Sequence, residues 1–168
     1  MTSQSTTRHE PVSTEWMDRD NAFQRQHSRT GLPSSVSPNL RLQRLRSGLN
    51  HEVLAHVSRV RPTRRVILYT RVLPGQDPEP LFVGLRAEAA RRGWQAGQEL
   101  FDDSGHQAPQ QSPEWLRVRK LCHEGLADGV LVRDRMQIST DDALYEGELR
   151  FINARQCFTA LQIPEAAP

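Results

Sequence analysis

Two cysteines, three methionines and ten aromatic side chains are few for a chain of 168 residues. Cys122 and Cys157 stand 35 positions apart with no CxxC pair, a spacing that fits neither a disulfide framework nor a zinc knuckle. Both read as reduced, buried packing residues. No apolar run approaches the roughly 18 to 20 residues that a membrane span requires. The first 30 residues also lack the apolar core of a secretory signal. These absences predict a soluble, cytoplasmic protein with no membrane contact. Of the six histidines only His51 and His56 are near neighbours, and a spacing of five does not put two ligands on one helix face. No metal and no cofactor is therefore expected. Lysine is almost missing, Lys120 being the single one among 22 basic residues. Arginine's planar fork favours phosphate contacts, and coding bias in a GC-rich genome produces the same imbalance.

What is present divides by charge. Residues 1–65 carry 11 arginines against 5 acidic residues, whereas the remainder carries 11 basic residues against 15 acidic ones. The overall charge of +2 thus hides a basic leader and an acidic body. Residues 1–38, rich in Ser, Thr, Gln, Asn, Arg and Pro without periodicity, read as a disordered leader. Within residues 39–62 the apolar positions Leu40, Leu42, Leu45, Leu49, Val53, Leu54 and Val57 recur at threes and fours. That spacing predicts a weak amphipathic helix, broken near Gly48, and then a linker at Pro62. Arg41, Arg44, Arg46, Arg64 and Arg65 lie along or just beyond this segment and, with Arg71, are candidate nucleic-acid contacts. The competing reading is a solvated polar helix whose apolar stripe over residues 40–57 packs on the body or on a partner, including a second copy.

Residues 63–164 alternate short β-branched runs with longer amphipathic stretches. Strands are expected at 65–72, 98–101, 129–132 and 157–163, and helices over 81–92, from the start signal Ser112-Pro113-Glu114 and after the capping run Ser139 to Asp142. Residues 165–168 form a tail. The order β-α-β-α-β-α-β within one modest domain predicts an α/β fold, a four-stranded mainly parallel sheet with flanking helices. Ligands of such sheets bind beyond the carboxyl ends of the strands. That edge carries Arg71 and Leu73, then Asp102, Asp103 and Ser104, then Arg133, Asp134 and Arg135.

Three segments at these positions carry a resemblance. Tyr69-Thr70-Arg71-Val72, Phe101-Asp102-Asp103-Ser104-Gly105 and the run Gly125 to Val132 are similar, in order and spacing, to the catalytic domain of the serine recombinases, the resolvase and invertase family. The resemblance covers about residues 64–163 and implies a resolvase-like fold acting on DNA, with a serine nucleophile attacking a phosphodiester while arginines neutralise the transferred phosphate. It also implies that a dimer-forming helix and a DNA-binding domain follow the catalytic domain in full-length members. The chain, read at 168 residues with about 60 in the leader, is expected to hold the catalytic domain only.

The departures fall where the chemistry is done. The family serine corresponds to Leu73, and Thr70 points to the opposite strand face from Arg71. The family's Asp-Arg-Leu-x-Arg run begins as Asp134-Arg135-Met136, but its second arginine becomes Ile138; aligned without a gap, the motif falls on Met136 to Thr140 and nothing survives. The Arg-Pro that opens the family's second helix is Ser112-Pro113. The expected site edge is therefore Arg71, Leu73, Asp103, Asp134 and Arg135 without an intact catalytic set, and Arg71 either holds a phosphate or pairs with Asp103 or Asp134. Asp103 to His106 has triad letters but reads as a turn. Three functions follow as expectations. One is a recombinase-like domain without cleavage activity, serving as a DNA-associated or protein-interaction module. The second is a phosphoryl-transfer enzyme with a displaced hydroxyl such as Ser104 or Ser139. The third is a purely protein-binding domain acting through residues 40–57.

Overall fold

The apolar, β-branched run from Arg65 to Arg71 forms β1, buried over its five central residues. A strand buried on both faces needs partners on both edges and helices above and below. The computed structural model, which describes residues 36–105 and 107–167, supplies them. In chain order the elements are α1 (Pro38–Val60), β1 (Arg65–Arg71), α2 (Glu79–Arg91), β2 (Gln95–Asp102), α3 (Pro113–His123), β3 (Gly129–Val132), α4 (Asp142–Asn153) and β4 (Phe158–Leu161). Short 3-10 turns at Pro109–Gln111 and Arg135–Gln137 complete the set. The sheet order is β2-β1-β3-β4 and every pairing is parallel. The fold is α/β, a four-stranded parallel sheet with flanking helices, as expected. The expected disorder of the leader lies, for residues 1–35, outside the described residues.

Alternation along β1 separates two cores. Ile67 and Tyr69 face Trp115, Val118, Tyr145, Leu149 and Ile152 from α3 and α4. Val66 and Leu68 face Phe82, Leu85 and Ala89 from α2. The caps follow the local sequence: the Ser112 hydroxyl accepts from Trp115 N and the Asp141 carboxylate from Leu144 N. Gly129 opens β3 where the Phe158 backbone and ring approach within 2.6 Å of any added Cβ, so only glycine fits.

Helix α1 departs from its expected form. It runs unbroken through the exposed Gly48, started by the Ser37 side chain, which accepts from Leu40 N. Rather than leading up to the domain, it is built into it: Leu42 belongs to the first core, and Val53 and Val57 to the second. Helix packing thus outweighs the local cost of one glycine, about 1 kcal/mol. Between these apolar groups sits Asn50, whose carboxamide donates to Thr159 O at 2.7 Å and accepts from Thr159 N at 3.1 Å. Thr159 lies on β4, the last strand of the sheet, so Asn50 satisfies both of its outward backbone groups, while Arg92 donates to Leu161 O further along the same edge at 2.8 Å. Nearby, Arg46 grips the buried Glu165 with two hydrogen bonds of 2.8 and 2.9 Å, and Tyr145 Oη donates to the same carboxylate at 2.7 Å. Burial opposes ionisation of Glu165, but the hydrogen bonds from Arg46 and Tyr145 outweigh it and hold the carboxyl below its ordinary range.

Strand β2 is longer than expected, beginning at Gln95 instead of Gln98. It is an edge strand whose first five residues are all exposed, and it lacks the apolar alternation by which strands are recognised. Strand β4 is shorter than its apolar run, ending at Leu161 where pairing with Val132 ends.

Replacing Asn50 by Ala strands the N–H and C=O of buried Thr159, and urea denaturation is expected to show a loss of about 2–4 kcal/mol; a change below about 0.5 kcal/mol, the size of an ordinary surface substitution, contradicts this role.

Candidate functional site at the carboxyl edge of the sheet

The register of the two longest strands decides what meets at this edge. Arg71, the last residue of β1, lies directly beside Asp102, the last residue of β2. Arg71 Nε donates to Tyr69 Oη at 3.2 Å and stands 3.8 Å from Asp102 Oδ2. The side chains of Arg71 and Asp102 are 12% and 3% exposed, so the pair is largely withdrawn from solvent. The other Asp102 oxygen accepts from Ser104 N at 2.8 Å and from the Ser104 hydroxyl. Burial raises the pKa of Asp102, but hydrogen bonds from Ser104 and Ser112, with the charge of Arg71, bring it below the ordinary aspartate value. Burial pushes the neighbouring Tyr69 hydroxyl up, partly offset by Ser112 and Arg71.

The partner of Arg71 is therefore Asp102, not the expected Asp103 or Asp134. Asp103 is exposed. The Asp134 carboxylate accepts from Met136 N and caps the 3-10 turn Arg135–Gln137. That turn delivers a residue which sequence reading missed. Gln137 Oε1 accepts from Arg71 N at 2.5 Å and from the Thr70 hydroxyl at 3.1 Å, tying the end of β1 to the segment after β3. Thr70 is fully buried on the face opposite Arg71, as alternation requires. Arg135 pairs with Asp142 in the first turn of α4. Ile138 is 1% exposed and belongs to the first core.

Leu73, in contrast, is 64% exposed. It lines a cleft of about 260 Å³ with Gln76, Gly105, Met136, Gln137 and Thr140. A second cleft, of about 420 Å³, runs past Phe101, Asp103, Ser104, Glu114 and Arg117. Ser104 therefore faces a cavity, with its hydroxyl committed to Asp102. Ser139 is buried and accepts from Asp141 N. His106, the last residue of the candidate loop, lies outside the described residues. Among the described residues no three potential metal ligands cluster, and no helix is long and apolar enough to cross a membrane.

The basic candidates do not gather on one surface. Arg64 and Arg65 enter β1 at its amino end, separated from Arg71 by about 20 Å of strand. Arg65 donates to Gly125 O and stands beside Asp128, while Arg64 reaches the Ser58 hydroxyl. On α1, Arg41 pairs with Glu146 and Arg46 with Glu165, and Arg44 is exposed.

Because the folded-state pKa of Asp102 is depressed, its contribution to stability is present above the unfolded aspartate value and lost as pH falls through the folded one. Urea midpoints should therefore fall more steeply for the wild type than for Asp102→Asn below about pH 5. Parallel curves would show that ionised Asp102, held by Ser104, Ser112 and Arg71, contributes nothing to stability.

No family model and no curated protein matches this chain. Solved structures do. The C-terminal catalytic domain of ISC1926 TnpA, an IS607-like serine recombinase, is similar with a TM-score of 0.52 and 21% identity, over 58% of this chain and 69% of that one. The N-terminal catalytic domain of TP901-1 integrase is similar with a TM-score of 0.52 and 22% identity, over 59% of this chain and 78% of that one. At these identities the similarity establishes architecture, and it agrees with the parallel order β2-β1-β3-β4 derived above. The chain has the fold of a serine recombinase catalytic domain.

Proposed function

We propose that this domain keeps the serine-recombinase fold without the strand-cleaving reaction, and acts as a DNA-associated or protein-interaction module. One feature supports the reading: Leu73, which the sequence resemblance aligns with the family serine, is an exposed aliphatic side chain on a cleft that Arg71 also lines. Phosphodiester attack needs a hydroxyl and unspent guanidinium donors around the transferred phosphate. Here Arg71 donates through Nε to Tyr69 and stands 3.8 Å from Asp102, with Nη2 left without a hydrogen-bond partner beside the cleft; Arg135 pairs with Asp142, and with the motif aligned on Asp134-Arg135 the second family arginine corresponds to the core residue Ile138.

The competing reading is an active phosphoryl-transfer enzyme with a displaced nucleophile. Ser104 favours it most, because it lines the 420 Å³ cleft together with Arg117. Its hydroxyl and its N–H bind the same Asp102 oxygen, a turn-forming arrangement that needs no catalysis to explain it. Ser139 serves a turn in the same way.

Incubation of the full chain with supercoiled DNA, followed by denaturing electrophoresis, tests the proposal. We expect no covalent protein–DNA adduct and no nicking. An adduct that disappears in Ser104→Ala overturns the proposal in favour of the enzyme. A native gel shift that weakens steeply with salt assigns the module to DNA; self-association without a shift assigns it to protein contacts.

A further inference from the structure

The sheet has two edges, and they are treated differently. At β4, Asn50 and Arg92 bind outward backbone groups of Thr159 and Leu161. At β2, Val72 N donates to Asp102 O, so Asp102 faces β1, and alternation turns the N–H and C=O of Phe101 and Glu99 away from the sheet. Among the described residues nothing bonds to these outward groups. A cleft of about 420 Å³ runs along them, lined by every residue from Glu99 to Ser104 and, on its far side, by Pro113, Glu114 and Arg117 of α3. Successive side chains of a strand point to opposite faces, so a cleft lined by consecutive residues is bounded by the backbone edge itself. The usual protections of an edge are missing, since β2 contains neither Lys nor Pro. Arg86 takes up the charge of Glu99 with bonds of 2.6 and 2.7 Å, and Phe101 is 43% exposed. The register shift between Val66 and Leu68 breaks the amino half of the strand and leaves 99–102 as its regular outer edge.

We propose that this edge is a self-association surface, on which β2 of a second copy adds antiparallel about a two-fold axis at Leu100. Charge selects that register. With Leu100 opposite Leu100, Glu99 faces Phe101 of the second copy and Phe101 faces its Glu99. Each pair exchanges both hydrogen bonds, so every outward group is used. No like charges then stand directly opposite. A slip in one direction sets Glu99 against Glu99, and a slip in the other sets Glu99 against Asp103, both repulsive. The selected register also lays the exposed Phe101 ring on the face where Arg86 holds Glu99. The apolar stripe over residues 40–57 is already spent on the domain's own cores. The inference rests on the protein-interaction side of the function proposed above and gives it a surface and a partner; the adduct assay tests the loss of cleavage, whereas the following measurements test only the edge.

The experiment is sedimentation equilibrium of the full chain, with amide hydrogen exchange read by NMR at the same concentrations. We expect a mass rising with concentration toward twice 19.1 kDa, and exchange at Glu99 and Phe101 slowing in step. Phe101→Glu sets like charges against Glu99 and is expected to weaken the dimer about tenfold, because the two-fold counts each change twice. Phe101→Lys sets opposite charges there and is expected to leave the dimer as tight or tighter. A chain that stays monomeric with freely exchanging amides at both positions overturns the proposal. A monomer with both amides protected overturns it in favour of cover from within the same chain. A dimer indifferent to Phe101→Glu, or weakened equally by Phe101→Lys, overturns the edge pairing.

Discussion

The carboxamide of Asn50, bound to both backbone groups of Thr159, is the contact on which the rest of the domain is hung. A parallel sheet of four strands has two edges and two faces, and a small domain has little chain with which to cover them. Helix α1 resolves this by running along β4, with Leu42 in one core, Val53 and Val57 in the other, and Asn50 against the strand edge between them. The Arg46 and Tyr145 contacts to Glu165 and the Asn153 contact to Leu49 O fasten the same helix to α4 and the carboxyl-terminal segment. With that edge closed, β1 is held centrally between β2 and β3, and its last residue is aligned with that of β2.

This alignment determines the electrostatics of the candidate site. Arg71 and Asp102 neutralise each other in a place where neither is well hydrated, and the Ser104 hydroxyl occupies one of the remaining carboxylate lone pairs. The same arrangement recurs across the fold. Arg86 bridges Glu79 and Glu99, Arg91 and Arg92 share Glu88, and Arg119 and Arg155 each stack on the ring of Phe151. An arginine can meet a carboxylate with two parallel bonds and lie flat on a ring, which a lysine cannot do. Much of the arginine content is thus consumed within the domain, and basic residues counted along the sequence do not add up to one basic surface.

What could be read from the sequence was local. The Ser112-Pro113 helix start, the extent of β3 and the inward faces of α3 and α4 depend on neighbouring residues and came out as the chain is built. Pairings across the sheet were not legible. Choosing Asp102 over Asp103 required the β1–β2 register, and β2 hid its length because an exposed edge strand shows no apolar alternation. Gln137 gave no signal at all, since a glutamine in a loop acquires meaning only when a 3-10 turn folds it back onto Arg71. Gly48 suggested a break that tertiary packing on α1 overrides.

Through Nε the guanidinium at the end of β1 is held by Tyr69 and faced by Asp102, while Nη2 stays without a hydrogen-bond partner beside the cleft; the central claim is that this arrangement serves the fold and does not bind a phosphate. Nitrogen-edited NMR of the Arg71 Nε–H group during a titration with inorganic phosphate measures this directly. The account predicts a resonance protected from solvent exchange by Tyr69 and Asp102 that does not move as phosphate is added. A rapidly exchanging Nε–H whose shift follows the phosphate concentration to saturation would contradict it.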